Sequence, residues 1–388
     1  MIRRQEHIPF YMPWTDGREI AQVAGAIRSG WLTTGPRVGR FEGRIRRMVR
    51  ARHAVAVNSC TAALHLSLAA AGIVRGDEVI TSPYTFAATG EAILYVGARP
   101  VLADINPRTL NLDPEAAELA VTRRTRAIVP VHIAGLPCDM LSLMALAHRK
   151  RLKVVDDAAH ALGSWVDGRP IGSISDLTCF SFYATKNLTT GEGGMVTTDD
   201  AEAAERVRRL SLHGLSHDAW KRYTRTGSWK YDVVEMGFKY NMTDLAAGMG
   251  LAQAVKFPVM QARRRRLARR YSALLATSEA FELPPEPEGV IHAWHLYVLR
   301  LRPGALRIGR DQLVRLLKER GIGTSVHFLP LHLHSLYRRT FGFRRGDFPH
   351  TERESARALS LPLYPGLTGA AQGRVVGTLL DLARRYRR

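Results

Sequence analysis

Residues 152–163 read LKVVDDAAHALG. A short apolar run ends in two carboxylates and small residues, and a helical pattern, Leu141–His148, comes before it. Working back along the chain, DEVITS (77–82), RPVLADI (99–105) and AIVPVHI (127–133) are further strand candidates. AVAVNS (54–59) is strand-like and runs into a helix pattern, ALHLSLAAAG. Working forward, LTCFSF (177–182) and GGMVTTD (193–199) continue the series. Strands alternating with helices predict an α/β fold with a mainly parallel sheet. The strands are near-continuous apolar runs, as expected where helices cover both faces.

The character shifts near residue 245. Residues 1–50 read as an arm and a helix, and a long helical stretch over about 244–276 leads into a second unit. There, HLYVLRL (295–301) and GTSVHF (323–328) read as strands, with helices near 310–320, 351–359 and 369–386. The expected division is a large unit, 1–245, and a smaller C-terminal α/β unit, 246–388.

The totals exclude several classes. The chain has 388 residues, 46% of them hydrophobic, enough for a large core. No run of about 18 apolar residues predicts a membrane span. The N-terminus lacks the apolar stretch of a signal peptide, and Cys60, Cys138 and Cys179 have no metal-ligand spacing. Reduced thiols in a cytoplasm are the expectation. With 56 basic and 35 acidic residues, the net charge of +21 favours anionic partners such as a phosphorylated substrate. Arg263–Arg266 reads as a solvated helix face. No zinc-finger spacing or RNP motif is present, so nucleic acid is not expected.

Three segments carry chemistry. Lys186 follows an apolar strand and precedes a Gly/Thr-rich turn, where it can point into a cleft; a surface lysine is the plain alternative. A desolvated lysine amine is nucleophilic and forms Schiff bases. In VVDDAAH, successive side chains alternate faces, so Asp156 and Asp157 point oppositely, and one can face a ligand at the carboxyl end of the sheet. In NSCTAALHLS (58–67) a strand meets a helix start, where N–H groups form an anion site or Ser59 or Thr61 simply caps the helix. Phosphate cradle, carboxylate and lysine, in that order, are the set that pyridoxal 5′-phosphate (PLP) requires.

The ordered motifs GWLTTGP (30–36), GDEVITSPYTFAAT (76–89), PVHIAG (130–135), VVDDAAHALG (154–163), FSFYATKNLTTGEGG (180–194), GFKYNMTD (237–244), HAWHLYVLR (292–300) and ERGIGTSVHFLPLH (319–332) span nearly the whole chain. Together they resemble the DegT/StrS-type sugar aminotransferases, which are fold-type I PLP enzymes. The resemblance implies that Lys186 is the Schiff-base lysine and proton shuttle and that Asp157 pairs with the pyridine nitrogen. It implies that His160 touches the phenolic side and that Phe86 stacks on the ring. Thr61, Ala62 and Ser181 would hold the phosphate, with Cys60 standing where many relatives have glycine. Asn241 or Lys239 would reach a partner subunit's phosphate, in a segment where many relatives read GYNYR. Phe10, Thr33, Thr34 and His327 align with positions lining the sugar-nucleotide pocket.

The resemblance also implies a homodimer with shared active sites, glutamate as donor with 2-oxoglutarate as its product, and a 4-keto nucleotide sugar as acceptor. GFKYNMTD with HGL…DAW (213–220) is similar to the branch that aminates a UDP-4-keto-pentose for lipid A modification; a 4-keto-6-deoxyhexose remains open beside it. Two rivals share the family: sugar dehydratases, in which histidine replaces the lysine, and non-catalytic regulators. Lys186 opposes the first, and the intact Asp157/Lys186 pair opposes the second.

Overall fold

A computed structural model describes residues 7–216 and 231–388. The DAW part of the 213–220 motif, at 218–220, lies outside the described residues.

The N-terminal part is built on a seven-stranded sheet. Its strands are β1 (His53–Val57), β2 (Glu78–Thr81), β3 (Arg99–Leu102), β4 (Thr125–Val129), β5 (Lys153–Asp157), β8 (Leu177–Ser181) and β9 (Gly194–Thr198). The hairpin strands β6 (Trp165–Val166) and β7 (Arg169–Pro170) lie outside it, in a small sheet with β11 (Val290–Ile291). The order is β1-β9-β8-β5-β4-β2-β3, and β9 alone runs antiparallel to its neighbours.

Both faces are covered, as the apolar runs require. Val154, Ile80, Ile128 and Phe180 join one core with α2 (Pro36–Met48), α6 (Met140–Lys150) and the first half of α8 (Asp244–Leu275). Val155, Val79, Val129 and Val196 join the other with α3 (Cys60–Ala70), α4 (Ala87–Tyr95) and α7 (Ala201–Leu210). Neighbours such as Val154 and Val155 take opposite faces because strand side chains alternate.

A further core lies toward the C-terminus. An antiparallel sheet, β10 (Phe281–Glu282), β12 (Tyr297–Leu301) and β13 (Ala358–Leu361), packs with α9 (Arg310–Glu319) and α12 (Gly369–Arg385). Helix α8 links this core to the one under α2 and α6: Ala254, Phe257 and Met260 enter the latter, and Leu267, Tyr271 and Leu275 the C-terminal core.

Three expectations change. The first fifty residues hold α1 (Gly17–Arg28) as well as α2, with Asp16 and Glu19 forming a capping box. Ile8 bridges to Ile322 and packs in the C-terminal core, so the N-terminal segment crosses the expected 245/246 line. GTSVHF is extended but forms no strand. Only Ser325 bridges, to Ser360 of β13, and the His327 carbonyl accepts instead from the Tyr84 hydroxyl (2.6 Å).

Candidate active site

At the carboxyl end of the parallel strands lies a cavity of about 600 Å³. It is lined by Lys186, Asp157, His160, Cys60, Thr61, Ser181, Phe86, Phe10 and His327, nine of the residues singled out above. β5 and β8 are parallel neighbours with Asp157 opposite Cys179, so the chain leaving β8 carries Lys186 over the end of β5. A ligand site beyond the strand ends follows from this topology.

Asp157 is buried and accepts two hydrogen bonds: its Oδ2 from Thr89 Oγ1 (2.7 Å) and its Oδ1 from the Ala159 N–H (3.1 Å). Burial pushes its pKa up, while Thr89, Ala159 and then the Lys186 charge pull it down. Among the described residues no ion pair neutralises it. Asp156 faces away, accepting from Ser175 Oγ (2.8 Å) beside His132, whose Nε2 is 3.4 Å away. That contact falls short of hydrogen-bond geometry and leaves His132 Nε2 without a partner among the described residues.

Burial lowers the Lys186 ammonium to about 8, against the opposing influence of Cys60 and Asp157. A substantial part of the amine is thus neutral near physiological pH. His160 Nδ1 accepts the Ala134 N–H (3.3 Å), which leaves Nε2 to carry the proton. Burial first, then Lys186 and His327, keeps His160 well below the usual imidazole range. Burial and Lys186 lower His327 to about 4. The cavity therefore holds neutral imidazoles.

The α3 start forms a cradle. Ser59 is its N-cap, and Ser59 Oγ accepts the Ala62 N–H (3.1 Å). Ala62 is buried in the core behind the cavity, so the phosphate contact expected of it has no free donor. The N–H groups of Cys60 and Thr61 make no hydrogen bond among the described residues and are open to an anion. Burial, then Asp157, pushes the Cys60 thiol well up, so it stays protonated.

Phe86 is 63% exposed yet lines the cavity, 6.0 Å from the Phe328 ring. An exposed aromatic at a cavity wall is available for stacking on a flat ligand.

Four expected residues lie elsewhere. Asn241 Nδ2 donates to Thr34 Oγ1 (2.8 Å) and, longer, to Thr33 Oγ1 (3.4 Å), and Lys239 Nζ donates to Asn241 Oδ1 (2.6 Å). Asn241 lines not this cavity but a surface groove that adjoins it at Glu192, with Asn58 and Met249. Sequence reasoning missed Tyr11, Thr89, His295 and Phe328. Thr89 was within reach, since it stands three residues after Phe86 in TFAAT on the same face of a helix start. Tyr11, in an arm without periodicity, left no signal.

A phosphorylated aromatic aldehyde with a basic ring nitrogen would use every group described. The amides at the α3 start would take the phosphate, Lys186 would meet the aldehyde carbon, and Asp157 would gain a cation partner. This fit, with the strand order, defines the class: a fold-type I PLP-dependent aminotransferase. The profile of the DegT/DnrJ/EryC1/StrS aminotransferase family matches residues 13–380, and the chain belongs to that family, whose cofactor is PLP.

The chain is 47% identical to the spore coat polysaccharide biosynthesis protein SpsC of Bacillus subtilis, over 99% of both chains. Among solved structures it is similar to Spr1654 of Streptococcus pneumoniae, seen in PLP and PMP forms. The PMP form superposes with a TM-score of 0.92 at 35% identity, covering 97% of this chain and 99% of that one. DesI, solved in the presence of its TDP-sugar product, gives a TM-score of 0.89 at 36% identity over 98% and 94% of the two chains. Among the described residues no helix is long and apolar enough to cross a membrane, and no cluster of ligating side chains could hold a metal ion.

Proposed function

We propose that this protein transfers the amino group of glutamate to the keto carbon of a nucleotide-linked 4-keto sugar, for the synthesis of amino sugars or polysaccharides. The observation that carries the reading is the pairing of Lys186, with its depressed pKa, and Asp157 in one cavity beside open helix amides. The TDP-sugar product seen with DesI and the polysaccharide role named for SpsC support the sugar substrate. A UDP-4-keto-pentose and a 4-keto-6-deoxyhexose are the leading acceptors.

PLP, when bound, supplies a ring that accepts electron density from the carbon losing its proton. Asp157 holds a proton on the ring nitrogen, and Thr89 and Ala159 keep that carboxylate oriented. Thr61, Cys60 and Ser181 hold the phosphate, and the exposed Phe86 ring covers one face. His160 presents Nε2–H to the phenolic oxygen. Lys186 Nζ takes the proton from the glutamate Cα, and in the second half-reaction it gives one to the carbon that bore the keto oxygen. Phe10 and His327 stand at the sugar side. We further propose a homodimer, in which the Lys239–Asn241–Thr34 cluster, with Lys239 exposed and the other two half-buried, completes the neighbouring subunit's site.

The test is a half-reaction. The protein is loaded with pyridoxamine phosphate and offered keto-sugar nucleotides, and the aldehyde-form absorbance is followed. A 4-keto nucleotide sugar should restore it. Recovery with 2-oxoglutarate but with none of the sugars would remove the substrate assignment.

A further inference from the structure

His295 opens the stretch HLYVLR, which runs into β12, and reaches the same cavity from the C-terminal part of the chain. It is 5% exposed. Its ring lies on that of His160, with centroids 4.4 Å apart and planes tilted by 35°. On its other side, His295 Nδ1 is 3.2 Å from Asn187 Oδ1. Asn187 is the residue after Lys186.

The tautomer of His295 follows from Asn187. The Asn187 Nδ2 group donates to the Ala293 carbonyl (2.8 Å) and to Gln261 Oε1 (3.2 Å), so its oxygen is the atom turned to His295. His295 must therefore carry its proton on Nδ1, opposite to His160, whose Nδ1 accepts from Ala134. The backbone is fastened as well. The His295 N–H donates to the Ala134 carbonyl (2.9 Å), and buried Arg264 donates to the carbonyls of Trp294, His295 and Leu363. Ala134 thus orients both rings, one through its N–H and the other through its carbonyl.

We propose that His295 is a positioning residue: its ring holds His160 in a dry, fixed orientation, and its Nδ1–H fastens Asn187 and with it the backbone of Lys186. The inference rests on the reading of Lys186 and His160 as cofactor-facing groups. The charged or titratable groups facing this pair are Lys186, His327 and Arg264, and with burial they oppose protonation of either ring. Without the His295 ring, water reaches His160 and it titrates near an ordinary imidazole value of ~6.5. Without the Nδ1–H donor, Asn187 Oδ1 is left buried and unpaired, and the lysine loosens.

The two roles separate in two variants, His295→Phe and His295→Gln. Phenylalanine keeps the ring and loses the donor; glutamine keeps a donor and loses the ring. Nitrogen-labelled histidine spectra of the whole protein report tautomers and titration, and stopped-flow absorbance reports PLP uptake by Lys186. In the native protein, His295 should be the Nδ1–H tautomer, and neither ring should titrate between about pH 5.5 and 8. His295→Gln should make His160 titrate and bring an acid limb near ~6.5 into the kcat/KM profile. His295→Phe should leave the profile as in the native protein, without that acid limb, and slow PLP uptake roughly ten-fold.

A native His295 protonated on Nε2, or His160 titrating near neutral pH in the native protein, would overturn the proposal. So would Phe and Gln variants with native titration and uptake. If these variants behave as native while Lys186→Ala is inactive, only the positioning role fails. Turnover in Lys186→Ala would instead fail the parent reading.

Discussion

Asp157 and Lys186 share one cavity although they leave different strands, because β5 and β8 are parallel neighbours with Asp157 set against Cys179. The carboxylate is held by Thr89 and Ala159, and the amine hangs from the turn beyond Ser181. Neither arrangement is made by the other. The Asp157 charge raises the proton affinity of Lys186, yet burial overrides it and brings the amine to about 8. The site thus keeps a buried, hydrogen-bonded carboxyl group and a titratable nucleophile within reach of a single ligand.

Lys186→Ala should abolish the visible absorbance change on adding PLP and lower turnover at least ~10³-fold, through loss of both the nucleophile and the proton carrier. Melting of the unliganded protein should stay close to native, since an alanine methyl needs no charge buried. Retained transamination in this variant would dismiss Lys186 from its role.

The depressed Lys186 pKa sets the pH dependence of cofactor uptake. Only the neutral amine attacks an aldehyde, and its fraction grows with pH up to the folded pKa. The uptake rate constant should therefore rise through pH 7 and level off above about 8. An ordinary lysine would keep rising toward ~10.4. A log-linear increase continuing past that plateau, measured by rapid mixing with PLP, would contradict a desolvated amine.

Asp156 and Asp157 are neighbours with different tasks. Asp157→Ala should reduce kcat/KM by at least ~10²-fold with a minor change in melting, because the ring nitrogen loses its counter-charge. Asp156→Ala should do the reverse. It leaves the Ser175 hydroxyl without its buried acceptor, removes the carboxylate beside His132, and should cost ~1–3 kcal/mol of stability while sparing most turnover. Equal kinetic effects of the two changes would reassign the strand's faces.

Much of this was legible in the sequence, and the failures have physical reasons. Alternation along VVDD separates Asp156 from Asp157 without any structure, because strand period is a local property. The same holds for the strand ending before Lys186. GTSVHF is less apolar than these runs, with only Val326 and Phe328, and it meets β13 through the single Ser325–Ser360 bridge, a pairing the sequence alone does not show. Ala62 shows a finer limit. The motif marks the helix start, but which N–H remains free depends on where the Ser59 hydroxyl points. His295 could be seen only with its surroundings, since its partners Ala134, His160, Asn187 and Arg264 come from four separate segments.

Gly194 tests the cradle from behind. It pairs with Val57 of β1 and Ser181 of β8, and a Cβ there would lie 2.3 Å from the Ser59 carbonyl oxygen and 2.8 Å from the Cys60 nitrogen. These are backbone atoms, so relief requires moving the start of α3. Gly194→Ala should cost ~1–3 kcal/mol and weaken PLP binding at least several-fold. Gly39→Ala, on a helix with nothing within 4 Å, is the control and should be neutral or slightly stabilising. Native PLP affinity in Gly194→Ala would show that the α3 amides do not hold the phosphate.

The Lys239–Asn241–Thr34 cluster lies outside the Lys186 cavity, so its proposed role needs a second copy of the chain. Complementation separates that role from a local one. Asn241→Ala alone should weaken PLP retention and leave the chemistry of Lys186 intact. Lys186→Ala alone is inactive. Mixed under conditions that allow subunit exchange, the two inactive or weakened proteins form a hybrid in which one site has an intact lysine facing an intact Asn241, while the other site lacks both. With random exchange half the dimers are hybrids, so activity should recover to about a quarter of native, provided the dimer has two-fold symmetry. The recovery requires exchange, and dilution below the dimer's dissociation constant should abolish it. If Asn241 acts within its own chain, no combination restores a whole site, and the mixture should show no more than the weighted mean of its components.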